Sequence, residues 1–210
     1  MFRRKRKLRG MLLPALLLAG LLYGCTAQEP EQVPEEPSGG AAMRSEQLAD
    51  SARPLSEDEI LSAYHRAVML CGWFELTPLP DDGQMVLVDS VAYRHVSREG
   101  VETLEDLRTC LRSVFSQEVT ERLLATGGET PRYRDIDGEL YVTGEGRSLD
   151  SSKGRAEIEV QQTEDAAYAV NVTVDLLDVT GESVTGLECW SFPYAFVEDR
   201  WVFTDFRLVN

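Results

Sequence analysis

Tyr133-Arg134-Asp135-Ile136-Asp137-Gly138-Glu139-Leu140-Tyr141-Val142 reads as two short strands folded about a tight turn. Asp-Gly between alternating apolar residues signals a two-residue hairpin, because both turn positions need positive φ, which Asp tolerates and Gly takes freely. Just upstream, Gly127-Gly128 marks a change of period. Before it, apolar residues recur at helical spacing; after it, they alternate with polar ones.

Working upstream, Ser116 and Val119 start a helix that carries Leu123 and Leu124 and ends at the glycine pair. Thr103, with Asp106 three residues on, starts another, placing Leu104, Leu107, Leu111 and Val114 on one face. Met85–Val88 and Tyr93–Val96 read as one or two short strands. The longest helical pattern follows Ser56-Glu57-Asp58-Glu59, a capping box in which the Ser hydroxyl accepts from the third amide and Glu59 reaches back. Ile60, Leu61, Tyr64, Ala67, Val68 and Cys71 keep helical spacing, and Gly72 with Pro78-Leu79-Pro80 is expected to stop them.

Downstream, Ala156, Ile158 and Val160 alternate with charged residues, and Tyr168, Val170, Val172, Val174 and Leu176 do the same over a longer run. Leu187–Val197 and Trp201–Val209 read as two more strands across Glu198-Asp199-Arg200. Helices followed by an antiparallel meander make an α+β fold, with the N-terminal helices packed on a curved antiparallel β-sheet.

Three segments are expected along the 210 residues. Residues 3–9 carry six positive charges and no acid, and residues 11–23 are apolar. That run falls short of the roughly 20 apolar residues a spanning helix takes. It fits a secretory signal peptide over 1–24. Leu22-Tyr23-Gly24-Cys25 resembles a bacterial lipobox, which would make Cys25 the lipid-attachment residue, acylated with palmitate-like chains. Two chains give stable anchoring where one is marginal. Residues 25–54, rich in Glu, Pro and Gly, cannot bury enough apolar surface to order themselves and read as a disordered acidic linker. Residues 55–210 then form one domain, held at the cell membrane on its outer side.

The chain has 36 acidic residues and 21 Lys plus Arg. Without the six cations of the leader, 15 remain and the net charge is -21. So acidic a protein is repelled by nucleic acid and by anionic lipid head groups, so its membrane contact is expected through the lipid anchor alone. Lys153 is the sole lysine beyond the leader.

No pattern of enzymatic chemistry emerges. The two histidines, His65 and His95, lie in no His-Glu-x-x-His arrangement, and no metal or cofactor motif is present. A nucleophile needs a base in reach. Cys71, Cys110 and Cys189 sit in apolar stretches typical of packing, without Cys-x-x-Cys spacing. An exported location permits one disulfide, with Cys71 and Cys110 as a candidate pair. Asn171-Val172-Thr173 fits a glycosylation sequon but lies within a strand pattern. The expectation is a protein without catalytic residues.

The long polar stretch within the strand region is 143–154. Its glycines predict a mobile loop between two strands, and loops on a rigid scaffold are where binding concentrates. Gly144, Glu145, Gly146, Arg147, Leu149 and Asp150 are the candidate partner-binding residues.

The order of several stretches resembles the IseA family of DL-endopeptidase inhibitors. They are Tyr93-Arg94-His95-Val96, Leu104-Glu105-Asp106-Leu107-Arg108, Phe115-Ser116-Gln117-Glu118-Val119, the hairpin 133–142, and Arg200-Trp201-Val202-Phe203-Thr204-Asp205-Phe206. The resemblance spans about residues 58–208. It implies a non-enzymatic inhibitor that occupies the substrate cleft of a secreted cell-wall endopeptidase of the NlpC/P60 type. The loop 143–154 stands at the position such proteins are thought to insert. The alternative is an NTF2-like small-ligand-binding or scaffolding lipoprotein, with a pocket between sheet and first helix lined by Trp73, Trp190 and Trp201.

Overall fold

The structure, a computed structural model, describes residues 53–209. The expected signal peptide, Cys25 and the expected linker up to residue 52 lie outside the described residues.

The 19-residue helix α1 (Glu57–Glu75) opens on the expected capping box: Ser56 accepts from the Glu59 amide, and Glu59 accepts from the Ser56 amide at 2.8 Å. The hairpin β1 (Asp81–Val88) and β2 (Val91–Val96) follows. Then come α2 (Leu104–Arg112), capped reciprocally by Thr103 and Asp106, and α3 (Gln117–Leu124), capped by Ser116. The remaining strands are β3 (Tyr133–Ile136), β4 (Glu139–Val142), β5 (Lys153–Glu164), β6 (Ala167–Leu177), β7 (Val184–Val197) and β8 (Arg200–Phe203).

The fold is α+β and antiparallel, but the strands divide over two four-stranded sheets instead of one curved sheet. The first has the order β1-β2-β4-β3 and the second β5-β6-β7-β8. Asp137 and Gly138 both take positive φ, at 57° and 89°, as the hairpin reading requires. Asp89-Ser90 does the same work between β1 and β2, with φ of 49° and 68° and no glycine.

One core serves both sheets because α1 spans them. Near its start, the Tyr64 ring lies 6.3 Å from Phe192 of β7 and 5.7 Å from Phe206. Near its end, the Phe74 ring meets Tyr133 of β3 edge-on at 5.0 Å. The buried Tyr133 hydroxyl donates to the Trp73 carbonyl at 3.0 Å and accepts from the Leu79 amide at 2.9 Å, tying helix, connector and first sheet together. On the inner face of the second sheet, Tyr168, Val170, Val172 and Val174 of β6 are all buried, with period two.

Two boundaries differ from expectation. Gly72 does not stop α1, which runs on to Glu75 and buries Trp73 and Phe74. Glycine inside a helix costs about 1 kcal/mol, which one buried aromatic ring outweighs. The last strand ends at Phe203 instead of Val209. Beyond it the chain turns inward, so that Phe206 lies 4.6 Å from Phe192 and 5.1 Å from Phe203 and joins the core. The three cysteines are free, Cys71 buried, Cys110 half-buried and Cys189 exposed.

Candidate functional site

The predicted binding segment links the two sheets, running from Thr143 after β4 to Ser152 before β5. It is a pinned segment. The Thr143 amide donates to Arg132 O at 2.9 Å, and the Thr143 hydroxyl donates to Ala92 O at 2.8 Å. Arg94, held by Asp81 at 2.9 Å, donates to Gly144 O at 3.3 Å.

Next the chain crosses the C-terminal end of α1. The Arg147 amide donates to Glu75 O at 2.9 Å, and the Arg147 guanidinium reaches the Glu75 carboxylate at 3.1 Å. The last carbonyls of a helix lack partners within it, and a cation there meets the negative end of its dipole. Gly146 lies against the same helix end: a Cβ on it would sit 1.3 Å from Leu76 O. The glycine therefore serves a close backbone approach. The mobility expected from the glycines gives way to contacts that fix the loop on α1.

At the far side Asp150 caps a turn. Its Oδ1 accepts from the Ser152 hydroxyl at 2.7 Å and the Ser152 amide at 2.9 Å, and the Lys153 amide donates to Asp150 O at 3.0 Å. The Ser152 hydroxyl, then its amide, hold the Asp150 carboxyl below its ordinary range. Ser148 and Leu149 stand between these pins. Leu149 is 63% exposed, and Gly144, Glu145, Arg147 and Asp150 are exposed too, whereas Gly146 is half-buried against Leu76.

The structure separates the three tryptophans. Trp73 is core, with the Arg98 guanidinium 4.7 Å from its ring centre. Trp201 borders a cleft of about 430 Å³ between the first turns of α1 and the β7–β8 hairpin. Leu55, Ala63, Val114 and Tyr194 line it with Trp201, and Asp58, Glu59 and Arg66 contribute charge. The Trp201 indole nitrogen is buried with no hydrogen-bond partner. Trp190 belongs to a different, smaller cleft beneath the loop.

His65 is exposed on α1 beside Tyr64. His95 sits on β2, its Nδ1 2.9 Å from Asp82 Oδ2 and its ring against Tyr141. The Gln84 amide, followed by His95, holds Asp82 below its usual range. An Asp–His pair can orient a base, yet neither histidine has a Cys, Ser or Thr as a hydrogen-bond partner among the described residues. Burial pushes the Cys71 thiol up to about 12, so it carries no thiolate at neutral pH. Among the described residues, no three His, Cys, Asp or Glu side chains group as they would to hold a metal ion.

Sequence reading missed Glu75, which anchors the loop from 72 residues away. It also missed the Asp82–His95 pair, whose sequence signal was only the Asp-Asp-Gly turn. Compared with known proteins, the chain matches no family model and no curated protein.

Proposed function

We propose that this protein is a membrane-anchored, extracytoplasmic inhibitor of peptidoglycan DL-endopeptidases. It blocks the substrate cleft of an NlpC/P60-type peptidase with the segment Gly144–Asp150 and transforms nothing itself. Cys25 holds it on the outer side of the cell membrane. The observation that carries this reading is Leu149, an apolar side chain 63% exposed and presented between two fixed points of one loop. A loop already pinned by Glu75 and Ser152 loses less conformational freedom on binding, which is the advantage of preorganisation. Burying Leu149 in a partner is worth about 1.5–3 kcal/mol at most. The net charge of -21 favours a cationic peptidase and speeds encounter with it.

The test is an inhibition assay. Purified mature chain with Cys25→Ser, which keeps it soluble, is titrated against secreted NlpC/P60 peptidases with a peptidoglycan substrate. Inhibition is expected, with Leu149→Asp weakening it at least tenfold, or about 1.4 kcal/mol. Unchanged inhibition by the variant would remove the loop from the mechanism. No inhibition of any such peptidase by the unaltered chain would remove the function.

A second reading has its own support. The Trp201 cleft of about 430 Å³ is lined by both apolar and charged side chains, and the buried Trp201 indole nitrogen has no hydrogen-bond partner, which suits a small amphipathic ligand. Co-purification of such a ligand with the mature chain, and its loss in Trp201→Ala, would favour ligand binding over inhibition.

A further inference from the structure

The smaller cleft lies where the loop, the second sheet and the C-terminal segment meet, and encloses about 240 Å³. Strand β7 supplies Glu188 and Trp190, two residues apart and therefore on one face. Lys153 opens β5, and its ammonium pairs with the Glu188 carboxylate. The loop supplies Arg147 and Asp150, and the segment after β8 supplies Arg207.

Three features set this cleft apart. First, it departs from the acidic balance of the molecule. Cations are outnumbered 36 to 15 in the mature chain, yet here Arg147, Lys153 and Arg207 meet Asp150 and Glu188, and with Glu75 paired to Arg147 the charges balance. The sole lysine beyond the leader is one of them, with only 17% of its side chain exposed. Second, Arg207 is fixed but unspent. Its guanidinium carbon lies 4.6 Å from the centre of the Trp190 ring, and no hydrogen bond or ion pair engages its donors among the described residues. A guanidinium stacked on an aromatic face keeps its planar fork free for a carboxylate. Third, the Trp190 indole nitrogen in the wall is buried without a partner. Such a group costs about 1–3 kcal/mol when unsatisfied.

We propose that this cleft binds a small monocarboxylate ligand, an amino acid or the C-terminal end of a short peptide, with the carboxylate on the Arg207 fork and Lys153. The pairing of the charges selects the class. Arg147 is paired with Glu75 and Lys153 with Glu188, so among the described residues Arg207 is the cation of this cleft outside any ion pair, and its single fork matches one carboxylate, whereas a phosphate dianion would stand beside Glu188 and Asp150 with too little compensation. Those two carboxylates can instead receive an α-ammonium group. The volume restricts the occupant, since drug-sized ligands take about 300–1,000 Å³. The site stands whether or not the loop inhibits a peptidase, because its anion-binding groups are Arg207 and Lys153.

The test uses the mature Cys25→Ser chain labelled with nitrogen-15, reading the Trp190 indole N–H resonance, which is assigned by its loss in Trp190→Phe. The probes are glycine, N-acetylglycine, glycylglycine and inorganic phosphate. A saturable shift is expected with the carboxylates and none with phosphate. Glycine binding at least as well as glycylglycine identifies a free amino acid as the occupant, and the reverse identifies a peptide end. N-acetylglycine binding more weakly than glycine shows the carboxylates receiving the ammonium. Arg207→Gln is expected to weaken binding at least tenfold, and Asp150→Asn, which keeps the turn-capping oxygen, to strengthen it by removing a like charge. No saturable shift with any carboxylate would overturn the proposal. So would equal binding by Arg207→Gln in a folded variant, or phosphate binding more tightly than every carboxylate.

Discussion

Gly146→Ala is the sharpest perturbation of the loop. The added Cβ would sit 1.3 Å from Leu76 O and 2.3 Å from the carbonyl carbon, where ordinary contact begins at 3.4 Å. Both atoms belong to backbone, so no rotamer change relieves the clash, and the two segments must part by about 2 Å. The Arg147 amide, now 2.9 Å from Glu75 O, then loses its hydrogen bond. That bond is worth about 0.5–1.5 kcal/mol. The side-chain pair between Arg147 and Glu75, 45% and 36% exposed, adds at most about 1 kcal/mol. The sum, about 0.5–2.5 kcal/mol, lowers Tm by roughly 1–10 °C for a domain of this size. Because the core is untouched, the loss should be local. Hydrogen exchange of the Arg147 amide is expected to accelerate while the amides of β6 keep their protection. An inhibitor relying on a preordered loop should also bind its target more weakly, since the ordering cost returns on binding. Native Tm together with native protection of the Arg147 amide in this variant would refute the pinned loop.

Other sites give independent checks. Gly72 lies within α1, where a Cβ meets nothing within 4 Å, so Gly72→Ala should stabilise the fold by about 0.5–1 kcal/mol in urea unfolding, and destabilisation would contradict the helical assignment. In the Cys25→Ser chain, the exposed Cys189 should react quickly with a thiol reagent, and the buried Cys71, its thiol pushed up to about 12, only after unfolding; one reactive thiol instead of three in the unfolded, unreduced chain would establish a disulfide. The Arg53 guanidinium, then the Ser56 amide, hold Glu59 at about 2, below the ordinary 4.5. A lowered carboxyl contributes stability that is complete above 4.5 and lost as pH falls towards 2. The stability difference between the unaltered chain and Glu59→Gln should therefore shrink across that window, and a constant difference would show that the ionised form is not favoured by folding.

Much of the fold was legible because its signals are local. Ser56 with Glu59 and Thr103 with Asp106 cap helices through hydrogen bonds spanning three residues, and Asp137-Gly138 sets its own turn. The alternation from Tyr168 to Val174 needs no knowledge of its neighbours to be read as a strand. The division into two sheets was not legible, because it depends on which strands pair at a distance. In the first sheet the link between the β1–β2 and β3–β4 hairpins is two register pairs, Arg94 with Val142 and His95 with Tyr141, 48 and 46 residues apart. No local pattern announces them. The inward turn at Phe206 was hidden likewise: Arg-Leu-Val alternates well enough to extend a strand, and only the aromatic cluster of Phe192, Phe203 and Phe206 takes the chain elsewhere.

The loop shows why position was easier to read than behaviour. Glycine is chosen for two opposite reasons, to leave a backbone free and to let it come close to another, and sequence does not distinguish them. At Gly146 the second reason holds, and the deciding neighbour, Leu76, is 70 residues earlier in the chain. The consequence runs from backbone to function. A free loop would have to be ordered by its target, with affinity reduced by that cost. A loop fixed on the end of α1 carries Leu149 outward in one conformation, so its binding should depend on the helix end as much as on its own side chains. Glu75, which holds Arg147, thereby becomes a positioning residue for anything the loop engages.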